Sequence, residues 1–274
     1  MDFSAAVEPS TPVDFERRFG GLRRLYGSGG AQAIFDSHVV VVGVGGVGSW
    51  AAEALARSGV GKLTLIDLDH VSESNINRQI HAMGSTVGQA KVLAMYQRLK
   101  DINPHCQIRL IEDFLTPENL TEFLTLPADD SGLPAVVDAC DQIKTKVALA
   151  AWALKTGTKL VTVGAAGGKS RAQAVEVGPL SEVTHDPLLA QVRYRLRKHH
   201  GASRSGAIPV CCVFSRESVS SPQSDCALAS DNDGSLNCHG YGSVVTVTAT
   251  FGMVAAGQVL NSLAKQKNIA NLPK

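Results

Sequence analysis

VVVVGVGGVGSW, Val39–Trp50, reads as the end of a strand, a glycine turn and the start of a helix. The run His38–Val44 is apolar and β-branched, as in a strand buried on both faces of a parallel sheet. Gly43, Gly45, Gly46 and Gly48 form the turn, and Ser49–Arg57 has good helix propensity. Strand, turn and helix in this order aim free backbone N–H groups and the positive end of a helix dipole at an anion. A glycine turn can also serve only close packing of helix on strand; the strand–turn–helix context favours phosphate.

Outward from the turn, Lys62–Ile66 is the next strand, and IDLDHVSESNINRQ, Ile66–Gln79, follows it. An acid at the end of this second strand binds ribose hydroxyls in NAD and ATP sites alike, so Asp67 does not discriminate. Asp69 does more, because two residues beyond the strand end it can face phosphates and hold a hard cation through oxygen. Asn75 and Gln79 can orient ligand oxygens, and Arg78 can neutralise a triphosphate. Lys91, in a helix predicted over Val87–Lys100, can reach the same phosphates. Taken singly, Arg78 and Lys91 also suit a solvated surface. In register with the glycine turn they read as a site for ATP rather than NAD, since a triphosphate brings a metal ion and a negative leaving group.

Ala135–Asp138 is a further strand, ending in VVDACDQIKTK. Asp138 and Asp141 fall beyond its carboxyl end, where open α/β sheets bind ligands. Either acid can cap the helix predicted over Gln142–Thr156, and either can hold a metal; the two roles balance for Asp138, while Asp141 is assigned to the metal together with Asp69.

GVGGVG, IDLDHVSESNINRQ, Lys91 and DACD together resemble the ubiquitin-activating-like (ThiF/MoeB/HesA) adenylating superfamily, from about Arg17 to Ala264. The resemblance implies ATP and magnesium as cofactors, with a monovalent cation as a further one, and an acyl-adenylate as product. It implies that Asp67 binds ribose, that Asn75, Arg78, Gln79 and Lys91 contact phosphates, and that Asp141 holds magnesium with Asp69; Arg78, Lys91 and Asp141 are its catalytic candidates. RRFGGLRRLYG, NRQIHA, VTVGAAGG, HDPLLAQVRYRLR and CVFSRE are similar to the branch that dehydrates tRNA threonylcarbamoyladenosine. That branch adenylates the threonyl carboxylate, an internal nitrogen displaces AMP, and a cyclic form of the nucleoside remains. The superfamily further implies a homodimer in which an N-terminal arginine, Arg18 or Arg24, reaches the ATP of the other subunit.

The six cysteines form no C-x-x-C pair, which leaves no zinc signature and separates the chain from ThiF and MoeB. Cys238 is a candidate reactive thiol, through which a sulfur-transfer protein partner is conceivable; a plain buried or exposed thiol is the commoner reading of all six. Basic and acidic residues number 26 and 25, so no global field announces nucleic acid. Locally, Arg193, Arg195, Arg197, Lys198 and Arg204 flank the apolar face of a helix opened by Asp186 and Pro187, and suit tRNA phosphates or a solvated face.

Strand–helix alternation to Val163 predicts a doubly wound, mostly parallel Rossmann-like α/β sheet with a C-terminal antiparallel and helical extension. Residues 1–14 are read as a flexible tail and 15–274 as a single domain, with a nucleotide-binding half to 164 and a substrate-side and interface half after it. Ala172–Val177 reads as an antiparallel strand and Ser215–His239 as a loop. The uncharged run His239–Ala264 is long enough to span a membrane, but its polar and small residues favour a core or interface helix. The tail lacks the features of a signal peptide, so the expected compartment is the cytoplasm with reduced thiols. The rival function is adenylation of a ubiquitin-like sulfur carrier; a non-enzymatic or NAD-binding Rossmann protein is a second.

Overall fold

Val42 lies beside Ile66 on one side and Asp138 on the other, so three strand ends meet at one edge of the sheet. The structure is a computed structural model that describes residues 14–125, 133–220 and 241–270, with side chains described as far as 265. Its elements are α1 (Phe15–Phe19), α2 (Gly21–Phe35), β1 (His38–Val42), α3 (Gly48–Arg57), β2 (Lys62–Ile66), α4 (Lys91–Ile102), β3 (Gln107–Ile111) and α5 (Leu120–Leu124). They continue with β4 (Ala135–Asp138), α6 (Ile143–Thr156), β5 (Leu160–Val163), β6 (Val175–Pro179), α7 (Pro187–His199), β7 (Cys211–Ser215) and α8 (Val245–Ala270). The seven strands form one sheet in the order β3-β2-β1-β4-β5-β7-β6. All neighbouring pairs are parallel except β6 with β7. The order reverses between β1 and β4, the switch point at which such sheets bind ligands.

The period of two along β1 divides its valines between two cores. Val39 and Val41 pack with α2, α3, α4 and α8, whereas Val40 and Val42 pack with α5, α6 and α7. Burial of each valine contributes about 1.5–3 kcal/mol. Over Val245–Lys265 the apolar helix α8 is long and apolar enough to cross a membrane, and about half of this stretch is buried in the protein. It lies instead against α2 and α3 as the central helix of the first core.

Several boundaries differ from expectation; the strand read over His38–Val44, for one, ends at Val42. The helix predicted from Val87 begins at Lys91, because Gly88 has φ +88° and Thr86 closes a turn through Met83 N and His81 O. The strand predicted from Ala172 begins at Val175, where pairing with Ser215 starts; Ala172–Ala174 is a 3₁₀ turn. Asp14, assigned to the tail, caps α1 by accepting from Arg17 N at 3.0 Å. The rest of the tail, and the loop beyond Ser220 with Cys226 and Cys238, lie outside the described residues.

Candidate active site

The loops after β1, β2, β3, β4 and β5 open onto one cleft of about 240 Å³ at the carboxyl edge of the sheet. Gly43, Gly45, Gly46, Asp67, Asp69, Arg78, Gln79, Lys91 and Asp141 line it. Gly43 has φ +83°, and a Cβ there would lie 2.9 Å from the Ala139 backbone. Gly48 stands behind the lining: a Cβ would lie 1.8 Å from Gly43 O, so only glycine lets α3 start this close beneath the turn. The packing reading of the glycines thus holds at Gly43 and Gly48, while Gly43, Gly45 and Gly46 line the cleft. Asn75 also stands behind the lining and orders the loop through a capping box with Ser72.

Each charge in the loop after β2 has a defined setting. Asp67 accepts Val44 N at 2.6 Å and Asp69 N at 2.9 Å, tying this loop to the glycine turn. Burial raises its carboxyl above the usual range, against the opposing pull of Lys91 and the two N–H groups. Lys91 Nζ lies 2.6 Å from Asp69 Oδ2, and Lys91 N donates to Asp69 O at 2.9 Å. The Lys91 side chain is 8% exposed and that of Asp69 54%. Arg78 donates from Nη1 to Ser74 O and Asn77 Oδ1, and burial lowers its guanidinium from the ordinary value. Its backbone carbonyl is held by Trp50 Nε1 at 3.0 Å and by Thr248 Oγ1 at 3.3 Å. Gln79 is buried with Oε1 unpartnered among the described residues, which leaves an acceptor for a donor arriving with a ligand.

Among the described residues no group of three or more His, Cys, Asp or Glu gathers to hold a metal. Magnesium typically binds through one or two carboxylates plus substrate phosphates. Asp69 and Asp141, two oxygen donors on one cleft, fit an ion that arrives with a nucleotide.

Other residues named from the sequence have different placements. Asp138 is no metal ligand and no cap. It is fully buried, pairs with the fully buried Lys146 at 3.1 Å and accepts from Thr162 Oγ1 and Cys140 Sγ. Neither Asp138 nor Asp141 caps α6, whose N-cap residue is Gln142. Lys146 also donates to Asp138 O and Val163 O, strapping the ends of β4 and β5. Burial lowers its ammonium, but Asp138, with Cys140 and Asp186, together outweigh this and hold it above the ordinary value. Arg18 caps the end of α4 through Asp101 O at 2.9 Å and Ile102 O at 2.8 Å, whereas Arg24 is exposed. Arg193 donates to Leu180 O and Val183 O and so belongs to the fold rather than to a free basic face. Arg197 holds Ser203 O, Lys198 lies over the Tyr194 ring, Arg195 is half-buried and Arg204 exposed. Burial pushes the thiols of Cys106 (to about 12), Cys140, Cys211 and Cys212 up, so none of these four is a ready thiolate.

Sequence reasoning missed Lys146, Phe114 and Tyr241, the last two being lining residues. Lys146 carried a usable signal, an apolar helix face interrupted by one lysine. The two aromatic residues carried none, because they are delivered by loops whose path depends on the whole sheet.

The cleft accords with comparisons to known proteins. The chain is 42% identical over 257 residues to the tRNA threonylcarbamoyladenosine dehydratase of Escherichia coli K12, covering 91% of this chain and 94% of that protein. It is 40% identical to the Haemophilus influenzae dehydratase, covering 93% and 96%. The crystal structure of the E. coli dehydratase in complex with ATP superposes with a TM-score of 0.82 at 39% identity, covering 96% of this chain and 100% of that one. Residues 19–274 match the model of the ThiF family. Glycine turn, acidic strand end, arginine loop and sheet order thus coincide with a family match across nearly the whole chain, and the protein belongs to the ThiF family.

Proposed function

We propose that this protein is an ATP-dependent tRNA threonylcarbamoyladenosine dehydratase. The carrying observation is that Asp67, Arg78 and Lys91, from the stretch after β2, and Asp141, from the loop after β4, converge with the glycine turn on one cleft. A carboxylate is a poor electrophile because its leaving group would be oxide. In the proposed reaction a threonyl carboxylate oxygen attacks the α-phosphorus of ATP, and the bond to the bridging oxygen breaks as pyrophosphate leaves. An internal nitrogen of the nucleoside then attacks the acyl carbon, the bond to AMP breaks, and the nitrogen gives up its proton. The nucleoside has lost the elements of water, and ATP has become AMP and pyrophosphate.

Such chemistry needs alignment and charge neutralisation more than a protein nucleophile. Asp67 receives the ribose, and the glycine turn and Arg78 receive the phosphates. An incoming triphosphate competes with Asp69 for Lys91, which frees the Asp69 carboxylate. Asp69 and Asp141 would hold magnesium, which would supply positive charge for the phosphates. On this reading the protein is a cytoplasmic homodimer in which Arg24, not Arg18, is the arginine offered to the other subunit's ATP. The tRNA backbone follows Arg195, Arg197, Lys198 and Arg204.

The test supplies purified protein, ATP, magnesium and tRNA carrying threonylcarbamoyladenosine, and follows the nucleoside by mass spectrometry. A product lighter by one water is expected. Formation of none, with adenylation of a small ubiquitin-like carrier instead, overturns the reading.

A further inference from the structure

Among the described residues the cleft is lined by two aromatic side chains, Phe114 and Tyr241. They reach it from opposite sides of the β1–β4 switch point, Phe114 after β3 and Tyr241 against the segment after β5. Phe114 follows β3 by three residues, and Asp67 N donates to Ile111 O at 3.1 Å, so Phe114 belongs to the ribose end. Tyr241 stands beyond β5, over the glycines of VGAAGG. A Cβ on Gly167 would lie 3.5 Å from Tyr241 Cβ, and one on Gly168 would lie 3.3 Å from Tyr241 Cδ1. Gly168, with φ +72°, donates its N–H to Gly242 O at 2.8 Å, pinning the segment that carries the tyrosine. The strands that lead to the two rings, β3 and β5, are four strand intervals apart, roughly 19 Å at about 4.8 Å each, so the two rings serve different parts of the cleft wall.

We infer that Tyr241 is the stacking platform for the purine base of the tRNA nucleoside. This rests on the proposed reaction, which brings two purines to one cleft: the adenine of ATP and the modified adenosine of the substrate. A ribose on Asp67 places the adenine of ATP at the Phe114 end, and the phosphates on Arg78 and Lys91 occupy the middle. The second purine is left the far end, where Gly164–Gly167, Pro187, Leu188 and Val219 supply small or apolar walls for a flat ring. Enzymes that act on a base take it out of its stack and hold it against aromatic or apolar side chains. Half-buried Tyr241 keeps one part of its ring packed on the glycines while still lining the cleft.

Loss of base–aromatic stacking typically weakens binding by about tenfold to a hundredfold. Tyr241→Leu is therefore expected to lose this much in kcat/KM for modified tRNA, mostly through KM, with ATP affinity and Tm unchanged. Tyr241→Phe, which keeps the ring, stays within about twofold. A second measurement needs no turnover: binding of an anticodon stem-loop carrying either a purine or an abasic site at the modified position. Wild type and Tyr241→Phe should prefer the purine loop, and Tyr241→Leu should not. An equal preference in Tyr241→Leu, or no preference in the wild type, overturns the assignment of Tyr241. Failure of the wild type to dehydrate modified tRNA counts against the reaction itself, and the stem-loop comparison still decides the stacking role.

Discussion

Lys91 and Lys146 are both almost closed to water, yet they stand for two regions with opposite economies of charge. Lys146 lies under the β4–β5 edge, where its ammonium meets Asp138, Thr162 and Val163, all inside the protein. The region beyond β5 repeats the pattern. Lys169 donates to Ser215 O and Glu217 O, Asp186 accepts Ala165 N and Leu189 N, and Arg193 holds two carbonyls. At the β1–β2 end, Lys91 has a half-exposed partner, Arg78 donates to neutral oxygens, and Gln79 keeps a buried acceptor unused. Charges saturated by the fold set its geometry; charges left with spare valence line the cleft. Residue type alone does not separate the two kinds.

The sharpest way to break this contrast is to remove each lysine in turn. Lys146→Met should cost about 3–5 kcal/mol in denaturant unfolding, because it strands the buried Asp138 carboxylate, and replacing Asp138 with valine as well should recover part of that loss. Lys91→Met should cost less than about 1 kcal/mol, given the exposure of Asp69, while abolishing most adenylation. Equal losses of stability would erase the distinction.

His81 extends the test to pH. It is 1% exposed, and neither ring nitrogen has a partner among the described residues. Burial first, and then the charges of Lys91 and Arg98, lower its pKa from the ordinary 6.5 to about 4. A depressed pKa means that the unfolded chain takes up the proton first. Stability is therefore fully present above pH 6.5 and is lost as pH falls toward about 4, by on the order of 3 kcal/mol. His81→Gln should flatten that acid limb of the stability curve; an unchanged limb would assign it to other groups.

Arg78→Ala removes charge aimed at the reacting phosphates and should slow adenylation by on the order of a hundredfold, about 2.7 kcal/mol, with little change in Tm. Normal turnover would place Arg78 with the saturated charges. The smallest effect is expected on the basic face. Neutralising Arg195, Arg197 and Lys198 together should weaken tRNA binding about tenfold and lower its salt slope by roughly one for each phosphate left without a cation, with ATP binding unchanged. Arg193→Gln should instead lower Tm and leave the salt slope alone.

Much of the nucleotide end was legible in the sequence because its signals are local. The glycines, Asp67, Arg78 and Gln79 sit at strand ends or in a loop whose strands are marked by unbroken apolar runs, and β2 and β4 fall where the pattern puts them. Other features depend on partners distant in the chain. Asp138 looks like Asp141 until Lys146 and Thr162 are brought beneath it. Arg18 looks free until α4 ends beside it, and Arg193 until the Leu180–Glu182 turn supplies carbonyls. The start of α4 was misplaced because the apolar pattern runs on through a glycine whose backbone is not helical.

The position of α8 has a consequence for how the chain is made. A Cβ on Gly252 of this helix would lie 2.4 Å from Val47 O and 2.8 Å from Trp50 Cβ, so α8 is seated directly on the glycine turn, and its Thr248 holds the Arg78 carbonyl. The turn is complete in sequence by residue 48, but the helix that seals it starts at Val245. During synthesis, at about 5–20 residues per second, the apolar faces of α2 and α3 therefore wait some tens of seconds for their principal partner. For that interval the nascent chain is a natural client for chaperones, and truncation shortly before residue 245 should yield an aggregating fragment rather than a smaller ATP-binding protein.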